Sequence, residues 1–128
     1  MKVLDSTFLI DILRKREETE EILNSNDELF TTQINMYEII EGFFSETIST
    51  RNKVVIRELF ESIKVLPLND MSIIKAAEIH ATLSKQGDMV DDLDCLIAGI
   101  ALANNISTIV TKNVKHFERI DGIKVESY

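Results

Sequence analysis

Three separated acids, Asp5, Glu38 and Asp94, each stand at the start of a helix-forming stretch, where an α/β crevice would collect them. Carboxylates sharing a small cleft repel one another and raise one another's pKa, a conflict that a hard divalent cation removes. Mg²⁺ and Mn²⁺ prefer oxygen ligands in near-octahedral sites that keep several waters. A few acids therefore suffice, and the open positions accept phosphate oxygens and an attacking water. The chemistry implied is hydrolysis of phosphodiester bonds. Taken singly, each acid has a plainer role: Asp5 as a helix cap, Glu38 as a solvated side chain, and Asp92 or Asp94 as first-turn acids that favour the helix dipole.

The elements that must position these acids are readable from periodicity. From Asp91 to Asn113 the chain runs DDLDCLIAGIALANNISTIVTKN. Leu93, Leu96, Ile97, Ile100 and Ala101 fall at the spacing of an amphipathic helix. Asp91 or Asp92 can cap that helix, and Asn104-Asn105 can stop it. The β-branched run Ser107 to Thr111 then reads as a short buried strand, with Asn113 just beyond it.

At the other end, Lys2-Val3-Leu4 is a brief strand, and Ser6 or Thr7 can cap a helix carrying Leu9, Ile12 and Leu13. Glu17 to Ser25 predicts a second short helix and Leu29-Phe30-Thr31 a strand. Thr32 or Gln33 opens a helix with Ile34, Tyr37, Glu38 and Glu41 near one side. Asn52 to Ile63 and Ser72 to Ser84 predict further helices, the latter ended by Gly87. Val65-Leu66-Pro67 and Ile123 to Glu126 predict edge strands.

Roughly five strands alternating with helices mean a parallel, three-layer α/β domain. Periodicity does not reveal strand order. If the first strand neighbours the Ile109-Val110 strand at a topological switch point, Asp5, Asp94 and Asn113 converge and Glu38 can join them.

Length and composition suit a single domain over residues 1–128, with 45% hydrophobic and 28% charged residues. The longest apolar run, Cys95 to Ala103, is too short to span a bilayer, so a soluble cytoplasmic protein with no membrane contact is expected. Cys95 is the single cysteine and reads as a buried small side chain. A net charge of −8 excludes a uniformly basic nucleic-acid face. Local positive charge occurs at Arg14 to Arg16, at Arg51, Lys53 and Arg57, and at Lys112, Lys115, His116 and Arg119. Only the last group adjoins the suspected site; the others read first as solvated helix faces.

Four stretches together resemble the PIN-domain ribonucleases of the VapC-like toxin type, found in toxin–antitoxin pairs. They are Leu4-Asp5-Ser6-Thr7 followed by Leu9-Ile10-Asp11, then Met36 to Gly42, then Asp92 to Ala98, and Val110-Thr111-Lys112-Asn113 with His116-Phe117. The resemblance implies that Asp5, Glu38 and Asp94 are the catalytic, metal-binding acids and that Ser6 is the hydroxyl after the first acid. Asp92 matches an additional acid of some members. The family's fourth acidic position is Asn113 here, and the acid some members place three residues later is His116; this leaves one metal ion or two open. The resemblance also implies strand order 3-2-1-4-5, Mg²⁺- or Mn²⁺-dependent endoribonuclease activity, a homodimer, and inhibition by a small cognate antitoxin. Lys112, Lys115 and His116 are the expected RNA contacts. Leu9, Ile12, Leu13 and Ile22 suit an antitoxin groove and a core equally.

Two other classes compete. A receiver-like phosphoacceptor domain also places acids at strand ends and a lysine after a late strand, as Thr111-Lys112 would supply. However, Leu68-Asn69 stands where its acceptor aspartate belongs, and only Asp5 follows the first strand. A PIN-fold interaction module that has lost activity is suggested by Asn113 and the acidic surface.

Overall fold

Alternating burial identifies the inner strands of the sheet. In β1 (Lys2–Leu4), Val3 faces one hydrophobic cluster and Leu4 the other; in β4 (Thr108–Val110), Ile109 and Val110 divide in the same way. A strand buried on both faces needs helices on both sides, and the computed structural model, which describes residues 1–48 and 53–128, has them. Together with β2 (Leu29–Thr32), β3 (Lys64–Leu66) and β5 (Lys124–Glu126), these strands form one parallel sheet of order β3-β2-β1-β4-β5. The expected order holds, and it differs from the 2-1-3-4-5 order of receiver-like domains. β3 and β5 are the edges, as the proline and the alternating pattern predict. β3 stops at Leu66, before Pro67.

The helices are α1 (Ser6–Leu13), α2 (Glu20–Leu23), α3 (Gln33–Phe44), α4 (Lys53–Ser62), α5 (Asp70–Lys85), α6 (Asp92–Ala103) and α7 (Val114–Phe117). Glu17–Thr19 forms a 3₁₀ turn leading into α2, so the expected helix from Glu17 to Ser25 is split. Thr32 caps α3 by accepting the Asn35 N–H. Asp91, not Asp92, caps α6 by accepting from the Leu93 N–H. Ser6 and Thr7, read as caps, instead lie inside α1, and Asp5 takes the cap position without a capping bond from its carboxylate. Arg51 and Asn52 lie outside the described residues, so the start expected for α4 does too.

α6 is buried more widely than a single stripe: Cys95, Ala98 and Gly99 are inside along with Ile97, Ile100 and Ala101. The cause is α5, which packs along its outer side. At their crossing Gly99 lets the backbones close. A Cβ built there would stand 2.7 Å from the Ser72 carbonyl oxygen and 2.8 Å from the Ala76 nitrogen. Backbone atoms cannot give way as a flexible side chain can, so Gly99→Ala is expected to lower stability by about 1–3 kcal/mol. A urea midpoint equal to wild type would disprove that close packing. Gly87 ends α5 at φ +80°, as expected. Burial pushes the Cys95 thiol up to about 11, helped by Asp92, Asp94 and Asp91, which suits a packing residue.

Of the four apolar residues suited to either groove or core, Leu9 and Ile22 are core. Ile12 and Leu13 are half-buried and pack against it. Among the described residues no helix is long and apolar enough to cross a membrane.

Candidate active site

The direction of chain travel reverses between β1 and β4: the chain moves to β2 and β3 on one side and to β5 on the other. Open parallel sheets leave a crevice at such a point, beyond the strand C-terminal ends. Asp5 follows β1 and is 4% exposed, with its N–H donating to the Val110 carbonyl at 3.0 Å. Its carboxylate is gripped from both neighbouring strands' connections. Thr111 Oγ1, just after β4, donates to Oδ2 at 2.6 Å, and Asn35 Nδ2, early in α3, donates to Oδ1 at 3.0 Å. Burial raises the Asp5 pKa, opposed by the Thr111 hydroxyl, the Ser6 N–H and the Asn35 amide.

Glu38 reaches the same crevice from α3, where Ser6 Oγ donates to its Oε1 at 2.8 Å. Burial pushes its carboxyl up to about 7; the Ser6 hydroxyl opposes this, while the charges of Asp5, Asp94 and Asp91 add to it. Asp94 projects from the first turn of α6, with its Oδ2 2.9 Å from His116 Nδ1. Its pKa is raised by burial and by Asp5 and Asp91, against the pull of His116. The three expected acids therefore gather at one crevice, near enough for the charges of Asp5 and Asp94 to act on Glu38 and that of Asp5 on Asp94. Asp91 adds a fourth charge that sequence reading took only for a cap, although its place one turn before Asp94 was a usable signal.

The other expected site residues separate into those near the acids and those elsewhere. Ser6 is in the site. His116 is there as the Asp94 partner, with its ring 52% exposed. Lys115 lines an adjoining cleft of about 460 Å³ with Asp91, Asp94, His116 and Arg119. Asn113 stands at the start of α7, where its N–H donates to Thr111 Oγ1 at 2.9 Å. Asp92, 85% exposed, is turned toward α5 and pairs with His80 at 3.3 Å, so it is not among the gathered acids. Lys112 also points elsewhere: its Nζ is 2.7 Å from Glu18 and 3.0 Å from Asp11, and 5.0 Å from the centre of the Tyr128 ring.

The donor set suits a hard cation, since it is all oxygen and its charges oppose one another. Among the described residues no three acidic, histidine or cysteine side chains are drawn close enough to enclose an ion as they stand. An Mg²⁺ ion keeps several of its own waters and needs few direct protein ligands.

Residues 2–123 match the PIN domain family. The chain belongs to that family. The tRNA(fMet)-specific endonuclease VapC of Salmonella typhimurium is 30% identical over 124 residues, covering 96% of this chain and 93% of that protein. Ribonuclease VapC1 of Methanocaldococcus jannaschii is 33% identical over 125 residues, covering 96% of this chain and 85% of that protein. Among solved structures, a chain of the DNA-bound VapBC of Salmonella typhimurium superposes with a TM-score of 0.87 at 30% identity, covering 98% of this chain and 96% of its own. In this PIN domain, Thr111 and Asn35 are the site residues that sequence reading missed. Both are polar residues within or beside apolar strand and helix patterns, which was the available signal.

Proposed function

We propose that this PIN domain is an endoribonuclease, the toxin of a toxin–antitoxin pair, using Mg²⁺ or Mn²⁺. The observation that carries the reading is the gathering of Asp5, Glu38 and Asp94 at the switch-point crevice, where Ser6 links to Glu38 and the charges of Asp5 and Asp94 both act on Glu38. Asp5 and Glu38, with Asp94 opposite, are the residues that would hold the ion. A bound divalent ion would polarise the phosphodiester and lower the pKa of the attacking water. Thr111 keeps the Asp5 carboxylate aimed, while His116 orients Asp94. With Asn113 at the fourth position, an amide replaces a charge and a single ion is the favoured stoichiometry.

Support for RNA as substrate comes from the VapC relatives, one named a tRNA(fMet)-specific endonuclease and one a ribonuclease, and from Lys115, His116 and Arg119 in the cleft beside the acids. Purified protein incubated with structured and unstructured RNA, with Mg²⁺, Mn²⁺ or chelator, tests substrate and cofactor together. Cleavage that survives the chelator refutes metal dependence, and no cleavage under any condition favours the inactive interaction module.

The two lysines are expected to differ. Lys115→Ala, in the cleft, should raise the RNA KM and flatten its salt dependence by about one counterion. Lys112→Ala should change the salt slope less, because its ammonium is committed to Glu18 and Asp11. Equal slopes for wild type and Lys115→Ala would return Lys115 to an ordinary solvated face.

An antitoxin partner is supported by the solved relatives, which are VapBC complexes. A homodimer is supported by α3, where Met36, Tyr37, Ile40 and Phe44 line an apolar cleft of about 520 Å³ with Tyr37 60% and Phe44 72% exposed. Light scattering of wild type and Phe44→Glu tests it, with a monomeric wild type as the refuting result.

A further inference from the structure

The first two acids are joined through a side chain that carries no charge. Asn35 is 0% exposed and lies one turn before Glu38 on α3. Its Nδ2 carries two protons, and both are used: one goes to Asp5 Oδ1 at 3.0 Å and one to Ser6 Oγ at 3.0 Å. Ser6 Oγ in turn donates its single hydroxyl hydrogen bond to Glu38 Oε1 at 2.8 Å.

The amide is oriented from its other end as well. Thr32 Oγ1 accepts the Asn35 N–H at 3.2 Å, which leaves the Thr32 hydroxyl proton for Asn35 Oδ1 at 2.7 Å. An ionised Asp5 can only accept, so turning the amide over would face oxygen with oxygen at one end and leave the Thr32 proton unpaired at the other. The chain of bonds is thus directed from Thr32 to Asn35, from Asn35 to Asp5 and Ser6, and from Ser6 to Glu38.

We propose that Asn35 is a positioning residue of the nuclease site, holding the Asp5 carboxylate and, through Ser6, the Glu38 carboxylate in one mutual arrangement. This rests on the nuclease reading and names a residue that reading does not require. Few side chains could replace it. Serine or threonine offers one hydroxyl proton and can serve Asp5 or Ser6 but not both. Aspartate offers none when ionised and sets a buried like charge beside Asp5. The energetic logic is that of partners behind a ligand shell: they touch no substrate but fix the orientation of groups that do.

The test compares wild type, Asn35→Ala and Asn35→Ser by three readouts: melting temperature in chelator, Mn²⁺ affinity by calorimetry, and kcat and KM on RNA. For Asn35→Ala the Mn²⁺ Kd should rise and kcat should fall, each by roughly 10- to 100-fold, while the RNA KM stays nearly constant. Asn35→Ser, which keeps one donor, should fall between. An Asn35→Ala protein that melts lower yet binds Mn²⁺ and turns over like wild type would overturn the proposal, since Asn35 would then serve only the fold.

If Asn35→Ala does not fold, the wild type carries the test by NMR of its side-chain amides. Both Asn35 Nδ2 protons should exchange with solvent far more slowly than those of exposed Asn24 and Asn105, and Ser6→Ala should shift one of the pair more than the other. Fast exchange of both protons overturns the proposal. A wild type that neither binds Mn²⁺ nor cuts RNA overturns the nuclease function and this inference with it, whereas an active wild type beside unaffected Asn35 variants overturns this inference alone.

Discussion

Asp94→Asn should reduce RNA cleavage by at least about 100-fold, beyond what loss of a mere supporting partner usually costs, and leave the fold intact. The substitution removes one of the three charges that would hold the cation. It keeps the shape of the side chain and leaves Ile97, Ile100 and Ala101 buried as before. Losing a charge that Asp5 and Asp91 oppose also relieves repulsion, partly offset by the weakened bond to His116. Asp11→Asn is the matched control, with a different expected signature. Asp11 lies further along α1 and is buried, accepting from the Tyr128 hydroxyl at 2.6 Å and pairing with Lys112. Its replacement should keep most activity while lowering stability by about 1 kcal/mol, as a charge-assisted bond becomes a neutral one. Turnover in Asp94→Asn equal to wild type would remove Asp94 from the mechanism.

The second large effect concerns the metal-free protein. Glu38 is held up to about 7 against an ordinary 4.5, mainly by burial and then by Asp5, Asp94 and Asp91. Ionising it in the folded state therefore opposes folding. The penalty is fully present above about pH 7 and fades as pH falls toward 4.5, because the folded protein then takes up a proton that the unfolded chain binds less readily. Asp11 acts in the other direction, its pKa being lowered, but its contribution is lost only as pH falls below its ordinary value of 3.8. In chelator the protein should thus melt higher near pH 5 than near pH 7.5. A divalent ion should relieve the same penalty at neutral pH. At about 100 times its Kd it adds ~2.7 kcal/mol, on the order of 10 °C in Tm for a domain of this size. Asp94→Asn should raise the Tm in chelator and blunt the response to Mn²⁺. Equal Mn²⁺ shifts in both proteins, or none at concentrations that support cleavage, would mean that these carboxylates share no ion.

Local patterns were enough to place the acids. A strand of two or three apolar residues ending in Asp5, an apolar helix opening with Asp91 to Asp94, and a β-branched run ending in Thr111 each reflect interactions between near neighbours, and all three survive in the fold. The parallel three-layer class follows from the same alternation. Strand order is different: it depends on which apolar faces meet across the sheet, and here the resemblance to a family supplied it.

What surrounds each acid was decided by tertiary structure. Thr111 bonds Asp5 because β4 lies beside β1, and Lys112, one residue later where the chain bends after the strand, leaves toward Glu18 and Asp11. Asp92 and Asp94 also differ in fate: two residues apart on a helix, they face directions about 200° apart, so one meets His80 on α5 and the other the crevice. Asn35 is the clearest case. In the sequence it is only a polar residue near a helix start, and its two donors acquired partners only when α3 packed against the start of α1. Hydrogen-bond partners at that separation are set by the register and packing of whole elements, which the residue types within any one element do not encode.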